Sequence, residues 1–340
     1  MTRLLLFAAL LLLLPAAQAQ EWNDADPTML AAEAAQQAYA TRLANTLDRD
    51  GGARERALAV LLRRAGQPQA GASGGNAPSR PTPPDPQAEA RLREALAKAG
   101  GDVLALQLLA AASADQPALR QEAARRWRDA DPGNLVPLLQ AGLTTEALLA
   151  QARGATRADA HMYEGMRWIM SVHRRHSPTA AEQSALAAGQ AFDPDTFAAL
   201  SASGLWAMTV MPGYGSPLEA CGERMLRAVP ARAGDCRHVA DLLVDHADTV
   251  AGQVVGLAIL HELATTPAER EAVARRQRPI DWRMLEWGRT VSAQDDQGIA
   301  QFVRLLADPS IESERQLADR VLQEAGIALD PPEGWTPPRR

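Results

Sequence analysis

His238, Asp241 and Asp245 stand at i, i+3 and i+7, and so on one face of a helix. An imidazole and two carboxylates in that register could chelate a divalent ion, or the carboxylates could orient the imidazole as a general base. The same residues also suit an acidic, solvated helix face. His173 and His176 make a second imidazole pair at i, i+3, but Arg174 and Arg175 separate them and no acidic third ligand accompanies them. The chain has no HExxH motif. Ser216, in Gly213-Tyr214-Gly215-Ser216-Pro217, misses the GxSxG elbow and reads instead as a cap for a helix that Pro217 begins. Gly51-Gly52 and Gly100-Gly101 follow helices and lack the Gly-Lys-Ser/Thr ending of a phosphate loop. These motifs offer no nucleophile and no cofactor cradle, so no cofactor is expected.

The two cysteines are Cys221 and Cys236. An even count in an exported chain favours a disulfide. If Cys221 lies well inside a helix ending near Arg227, it is more than two turns from the connection. Val229 to Asp235 contains Pro230 and Gly234, however, and seven extended residues can travel back about 20 Å, enough to bring Cys236 beside Cys221. A structural bridge is expected, because the spacing is not the CxxC of a redox-active pair. The stretch Gly204–Ser216 gathers Trp206, Met208, Met211 and Tyr214 where the chain leaves a helix through Pro212-Gly213. Polarizable, adaptable side chains of this kind form patches for peptides or apolar ligands, and they also fill cores at helix corners.

The elements that position these residues are helical. Arg3, the unbroken apolar run Leu4–Leu14 and Ala17-Gln18-Ala19 read as a secretory signal over residues 1–19. That run is too short to span a bilayer, which takes about 20 residues, and no later stretch is apolar enough. The expected product is an exported chain beginning at Gln20, periplasmic or secreted if the source is bacterial. The net charge of −6 is spread along the chain, and of 35 basic residues only Lys98 is a lysine. A nucleic-acid binder would concentrate positive charge on one domain, so nucleic acid is not an expected partner.

Residues 20–65 read as an N-terminal helical hairpin, with Gly51-Gly52 as the stop between its arms. Residues 66–86 are rich in proline and glycine and nearly free of apolar side chains, the composition of a flexible linker. Helical periodicity resumes at Gln87 and continues to about Gly326, with short connections that imply antiparallel neighbours. Residues 327–340 form a polar, proline-rich tail. Side-chain acceptors precede proline at Asp193-Pro194, Ser216-Pro217 and Thr266-Pro267, a helix-start pattern. The segments Pro267–Arg276 and Asp281–Val291 read as separate helices. No alternating strand longer than four residues is found, and the fold class is all-α.

Asp131-Pro132-Gly133-Asn134, between two Ala/Leu-rich helices, resembles the junction between tetratricopeptide repeats. Gly101-Asp102-Val103-Leu104-Ala105-Leu106 echoes Gly133-Asn134-Leu135-Val136-Pro137-Leu138 one repeat length upstream. The similarity covers residues 87–142. It departs from the family at Ala124, where an aromatic belongs, and at Trp127, where alanine belongs. It implies consecutive antiparallel hairpins in an α-solenoid, and it implies a protein or peptide partner, here one of the cell envelope. The expected function is a non-enzymatic interaction or scaffold protein. The alternatives are a metal-dependent protein using His238, Asp241 and Asp245, or a carrier of a small apolar ligand.

Overall fold

A computed structural model of the protein describes residues 27–66, 86–186 and 193–338. The expected secretory signal and nearly all of the expected linker lie outside the described residues. Within them the chain forms seventeen α-helices, one 3-10 turn (Pro230–Arg232) and no strand. In order these are α1 (Pro27–Asp50), α2 (Ala53–Ala65), α3 (Pro86–Lys98), α4 (Val103–Ala112), α5 (Pro117–Ala130), α6 (Val136–Gln140), α7 (Thr145–Ala152), α8 (Met162–Arg175) and α9 (Ala180–Leu186). Then come α10 (Pro194–Thr209), α11 (Gly215–Ala220), α12 (Glu223–Ala228), α13 (Ala233–His246), α14 (Val250–Leu263), α15 (Pro267–Ala293), α16 (Asp295–Ala307) and α17 (Glu314–Glu324). The all-α class is therefore observed.

Local chemistry explains several helix starts. Asp193 accepts hydrogen bonds from the amides of Asp195 and Thr196, at 2.9 and 3.0 Å, which satisfies two donors that α10 leaves free. Thr266 and Glu269 form a reciprocal capping box at α15. Ser216 does not act as a cap, because α11 already begins at Gly215 and has no side-chain cap.

The sequence pattern also reads as continuous helices over residues 134–151, 157–173 and 217–227; the first and third are broken, the second starts late, and the two segments either side of Pro279 are fused. The segment expected over residues 134–151 divides into α6 and α7, with Gly142 at φ +63° and Thr144 capping the second piece. The segment expected from Arg157 starts only at Met162, because residues 156–158 are drawn into main-chain bonds with residues 133–135 and 246–248. The segment expected over residues 217–227 stops at Cys221 and restarts at Glu223. Pro279 does not end its helix, and α15 runs through it. Proline costs one i→i−4 bond there, and the packing of α15 on α14, α16 and α17 outweighs that loss.

Neighbours in sequence pack as neighbours in space, α1 on α2, α4 on α5 and α13 on α14, and α8 packs on α10 with α9 between them in the chain. Other contacts join distant segments. α1 lies on α9, where Arg42 and Glu182 pair at 2.7 Å, and α10 touches both α2 and α16. Buried apolar side chains fall into two clusters. One draws on α1 to α5, α8, α10, α16 and α17. The other draws on α6, α7, α11, α13, α14 and the first half of α15. Adjacent residues divide between them. Leu135 belongs to the second and Val136 to the first, and Ala158 belongs to the second and Ala160 to the first. The chain therefore crosses a seam at these points, and polar side chains gather there.

Candidate functional site

The seam joins the turn Asp131–Asn134, the segment Ala155–His161, the link Ala247–Thr249 and the start of α17. Asn134 is 2% exposed. Its amide nitrogen donates to Asp131 Oδ2 and to the Asp159 carbonyl, both at 2.7 Å. Its Oδ1 accepts from the amides of Val136 and Asp159, both at 3.1 Å. Every hydrogen-bonding position of the amide is thus used. Asp131 also receives the Arg157 guanidinium, and its Oδ2 lies 2.9 Å from His161 Nε2. His161 has φ +47° and is the one non-glycine residue with positive φ among the described residues.

Asp248 ties the second side of the seam. Its carboxylate accepts from the amides of Ala160 and Met162, at 2.9 and 3.1 Å, and its carbonyl accepts from the Glu314 amide at 2.9 Å. The Glu314 carboxylate in turn accepts from the Val250 amide at the start of α14. Thr249 Oγ1 caps α14 through the Gly252 amide and lies 3.0 Å from the Tyr214 hydroxyl.

Burial dominates the electrostatics. It pushes the Asp248 carboxyl up to about 7, reinforced by the negative charges of Asp159 and Glu314 and opposed by the two amide donors. Burial also raises the Glu314 carboxyl, against the Val250 amide. The hydroxyls of Tyr163 and Tyr214, desolvated and facing the same two acids, are raised as well. Away from the seam, burial beside α1 lowers the His173 imidazole to about 4, and His173 Nδ1 lies 2.7 Å from the Tyr39 hydroxyl.

Chemically this cluster is a fastener. Its carboxylates bind backbone amides of other segments, and the neighbours of the His161 imidazole are the carboxylates of Asp131, Asp159 and Glu164. Sequence reading missed Asp248 and Glu314. It saw Asp131 and Asn134 only as a turn. The available signal was weak: a conspicuous Asp-Pro-Gly-Asn turn, and an Asp-Thr pair just before an apolar helix.

The structure distributes the sequence candidates differently. Cys221 and Cys236 form a buried disulfide. Cys221 is the last-turn cap of α11 and not an interior helical residue, so the bridge needs no long return of the chain. The closed loop spans 15 residues. Replacing both cysteines by serine is expected to lower stability by about 3 kcal/mol, measured by denaturant unfolding.

The proposed metal face is taken up by other bonds. His238 Nε2 lies 3.1 Å from the carbonyls of both Ala152 and Ala155. Asp241 and Asp245 share Arg276, at 2.6 and 2.9 Å. Among the described residues no group of three His, Cys, Asp or Glu is placed to hold a metal ion. The positive partner of Asp241 and Asp245 is supplied by α15.

The four residues of the Trp/Met corner are not one patch. Trp206 is fully buried against Gly165. Met211 packs on the first apolar cluster and Tyr214 on the second. Only Met208 faces solvent, at 63% exposure. Leu200, 40% exposed, stands eight residues earlier on the same helix, and Gly204 lies midway with open space above its Cα. Among the described residues the other large exposed apolar side chains are Leu30 and Val229. An open hollow of about 640 Å³ borders Gln37, Thr41, Asn45 and Arg49 of α1, and it is lined by polar as well as small side chains.

No helix of the described residues is long and apolar enough to cross a membrane. No family model, curated protein or solved structure matches the chain.

Proposed function

We propose that the protein is an exported, non-enzymatic interaction protein of the bacterial cell envelope, a tetratricopeptide-like array of helical hairpins that docks a partner on α10. The observation that carries the reading is the row Leu200, Gly204 and Met208, at i, i+4 and i+8. It sets two exposed apolar side chains on either side of a residue with no Cβ. A partner helix can lay a large side chain over Gly204 and bury both neighbours, each worth about 1.5–3 kcal/mol if fully covered. Export is supported by the charged, apolar and small-residue order of residues 1–19 and by a disulfide suited to an oxidising compartment. The engagement of carboxylates and imidazole in structural bonds at the seam supports docking over chemistry.

The test is capture from envelope extract with the mature chain and with Met208→Glu as baits. The variant is expected to lose the partner while melting within about 2 °C of the parent, since a surface change costs little.

A further inference from the structure

The C-terminal tail is seated on α15 by a set of contacts that reads as peptide recognition. Gly326, at φ +71°, ends α17, and the Ile327 amide closes the helix on the Leu322 carbonyl at 2.9 Å. The chain then returns across α15. The Trp282 indole donates from Nε1 to the Ala328 carbonyl at 2.8 Å. Arg283, which pairs with Asp319 of α17 at 2.9 Å, also lies 3.8 Å from Asp330. Arg278 donates to the Pro332 carbonyl at 2.6 Å. That carbonyl also accepts the Trp335 amide at 3.1 Å, in a turn whose third residue is Gly334 at φ +75°. A residue with a β-carbon is strained there. The turn sets the Trp335 ring edge-on against Trp282, with centroids 5.4 Å apart.

These links share a logic. The bonds from α15 to the tail's main chain are made by side chains, and they reach the carbonyl of Ala328, three residues before the proline pair, and that of Pro332 within it. The Pro332 carbonyl accepts both Arg278 and the Trp335 amide of its own turn. Proline-containing segments lose little entropy on binding. Surfaces that recognise them combine an aromatic ring with a hydrogen-bond donor. The tail itself stays on the surface: Ala328, Asp330, Pro332, Glu333 and Gly334 are exposed, and the Asp330 side chain is 88% exposed. It adds little to the core that α15 and α17 already close.

We propose that the α15 face formed by Arg278, Trp282 and Arg283 is a docking surface for an acidic, proline-rich segment of a partner protein, covered in the free protein by its own residues 328–335. The occupant carries a carboxylate, a Pro-Pro pair and an aromatic residue three positions beyond that pair, because those are the features the face holds in its own tail. Specificity follows from the two guanidinium groups, which reject a basic segment, and from the indole, which needs a ring or proline to pack on. This face is separate from the α10 row and does not depend on it.

The tail acts as a tethered competitor. A short tether gives an effective concentration of about 1 mM, so a segment with an intrinsic Kd of about 10–100 µM binds the closed protein about ten- to a hundredfold more weakly.

The experiment uses the full mature chain and a fluorescein-labelled peptide with the sequence of residues 327–338, read by anisotropy. Two variants free the tail without altering the face: Trp335→Ala removes the packing ring, and Gly334→Val disfavours the turn. Both are expected to bind the peptide at least tenfold more tightly than the parent, with unchanged circular dichroism. Adding Trp282→Ala to either is expected to abolish that gain, and a peptide lacking the tryptophan is expected not to bind. The proposal is overturned if neither tail variant gains affinity, or if Trp282→Ala leaves the gain intact. It is also overturned if the parent sediments as a dimer that Trp282→Ala dissolves, because the occupant is then the tail of a second copy.

Discussion

Asp248→Asn is expected to make stability respond differently to pH between about 4 and 7, the interval separating an ordinary aspartate from one held up to about 7. In that interval the folded chain keeps a proton that the unfolded chain has released. The Asp248 contribution is therefore complete below about pH 4 and lost as pH rises through the folded value. The advantage of the parent over Asp248→Asn should shrink by about 2–4 kcal/mol between pH 4.5 and pH 8.

His173 acts in the opposite direction. Its imidazole is lowered to about 4, so the unfolded chain binds a proton first and stability falls as pH drops from about 6.5. The two contributions overlap and partly cancel in the parent, which is why the comparison with the variant, and not the parent curve alone, isolates Asp248. Urea unfolding at a series of pH values, with the disulfide intact, gives both curves. Parallel curves would mean that the carboxylate is ionised throughout. Asp248→Ala is a harsher change at any pH. It leaves the Ala160 and Met162 amides without their acceptor, at a cost of about 2–5 kcal/mol.

Gly165→Ala is expected to destabilise the protein by about 3 kcal/mol, against the helix propensity that favours alanine by about 1 kcal/mol. The reason is contact. A Cβ on Gly165 would stand 2.0 Å from Cζ3 and 2.3 Å from Cη2 of Trp206, and that indole is fully buried between α8 and α10. A rigid ring in a packed interior cannot step aside without opening space elsewhere. Gly204→Ala provides the opposite sign on the neighbouring helix, because its Cβ would meet nothing within 4 Å. It should raise stability by about 0.5–1 kcal/mol. Thermal melts of the two variants separate these cases. Combining Gly165→Ala with Trp206→Leu should recover part of the loss, the coupling expected of residues in contact.

The readable parts of the fold were those set by near neighbours. Asp193 and Thr266 cap their helices because the acceptor and the free amides lie within three residues of one another. The cysteine pair was legible because its loop is short. Asp248 and Glu314 were not, since the amides they hold are 88, 86 and 64 residues away in sequence. Asp241 and Asp245 showed a correct helical face, but the guanidinium that neutralises them comes from 35 and 31 residues further along. The Trp206 corner carried two readings, an exposed patch and core filling, that the sequence could not separate. Composition identifies apolar side chains but not their direction, and Met208 turns outward while Trp206 two residues earlier fills the gap left by Gly165. Residues 267–293 form one helix through Pro279 because packing on α14, α16 and α17 holds it, which the local sequence pattern does not display. The tail, read as a polar end, carries its information in main-chain carbonyls, which no side-chain pattern displays.

If the chain docks its partner through α10, capture must depend on Met208. The most direct measurement is a three-way capture from envelope extract with the parent, Met208→Glu and Val229→Glu, where Val229 is an exposed apolar residue away from the row. A partner should be retained by the parent and by Val229→Glu and lost by Met208→Glu. Equal capture by all three proteins would contradict docking through α10.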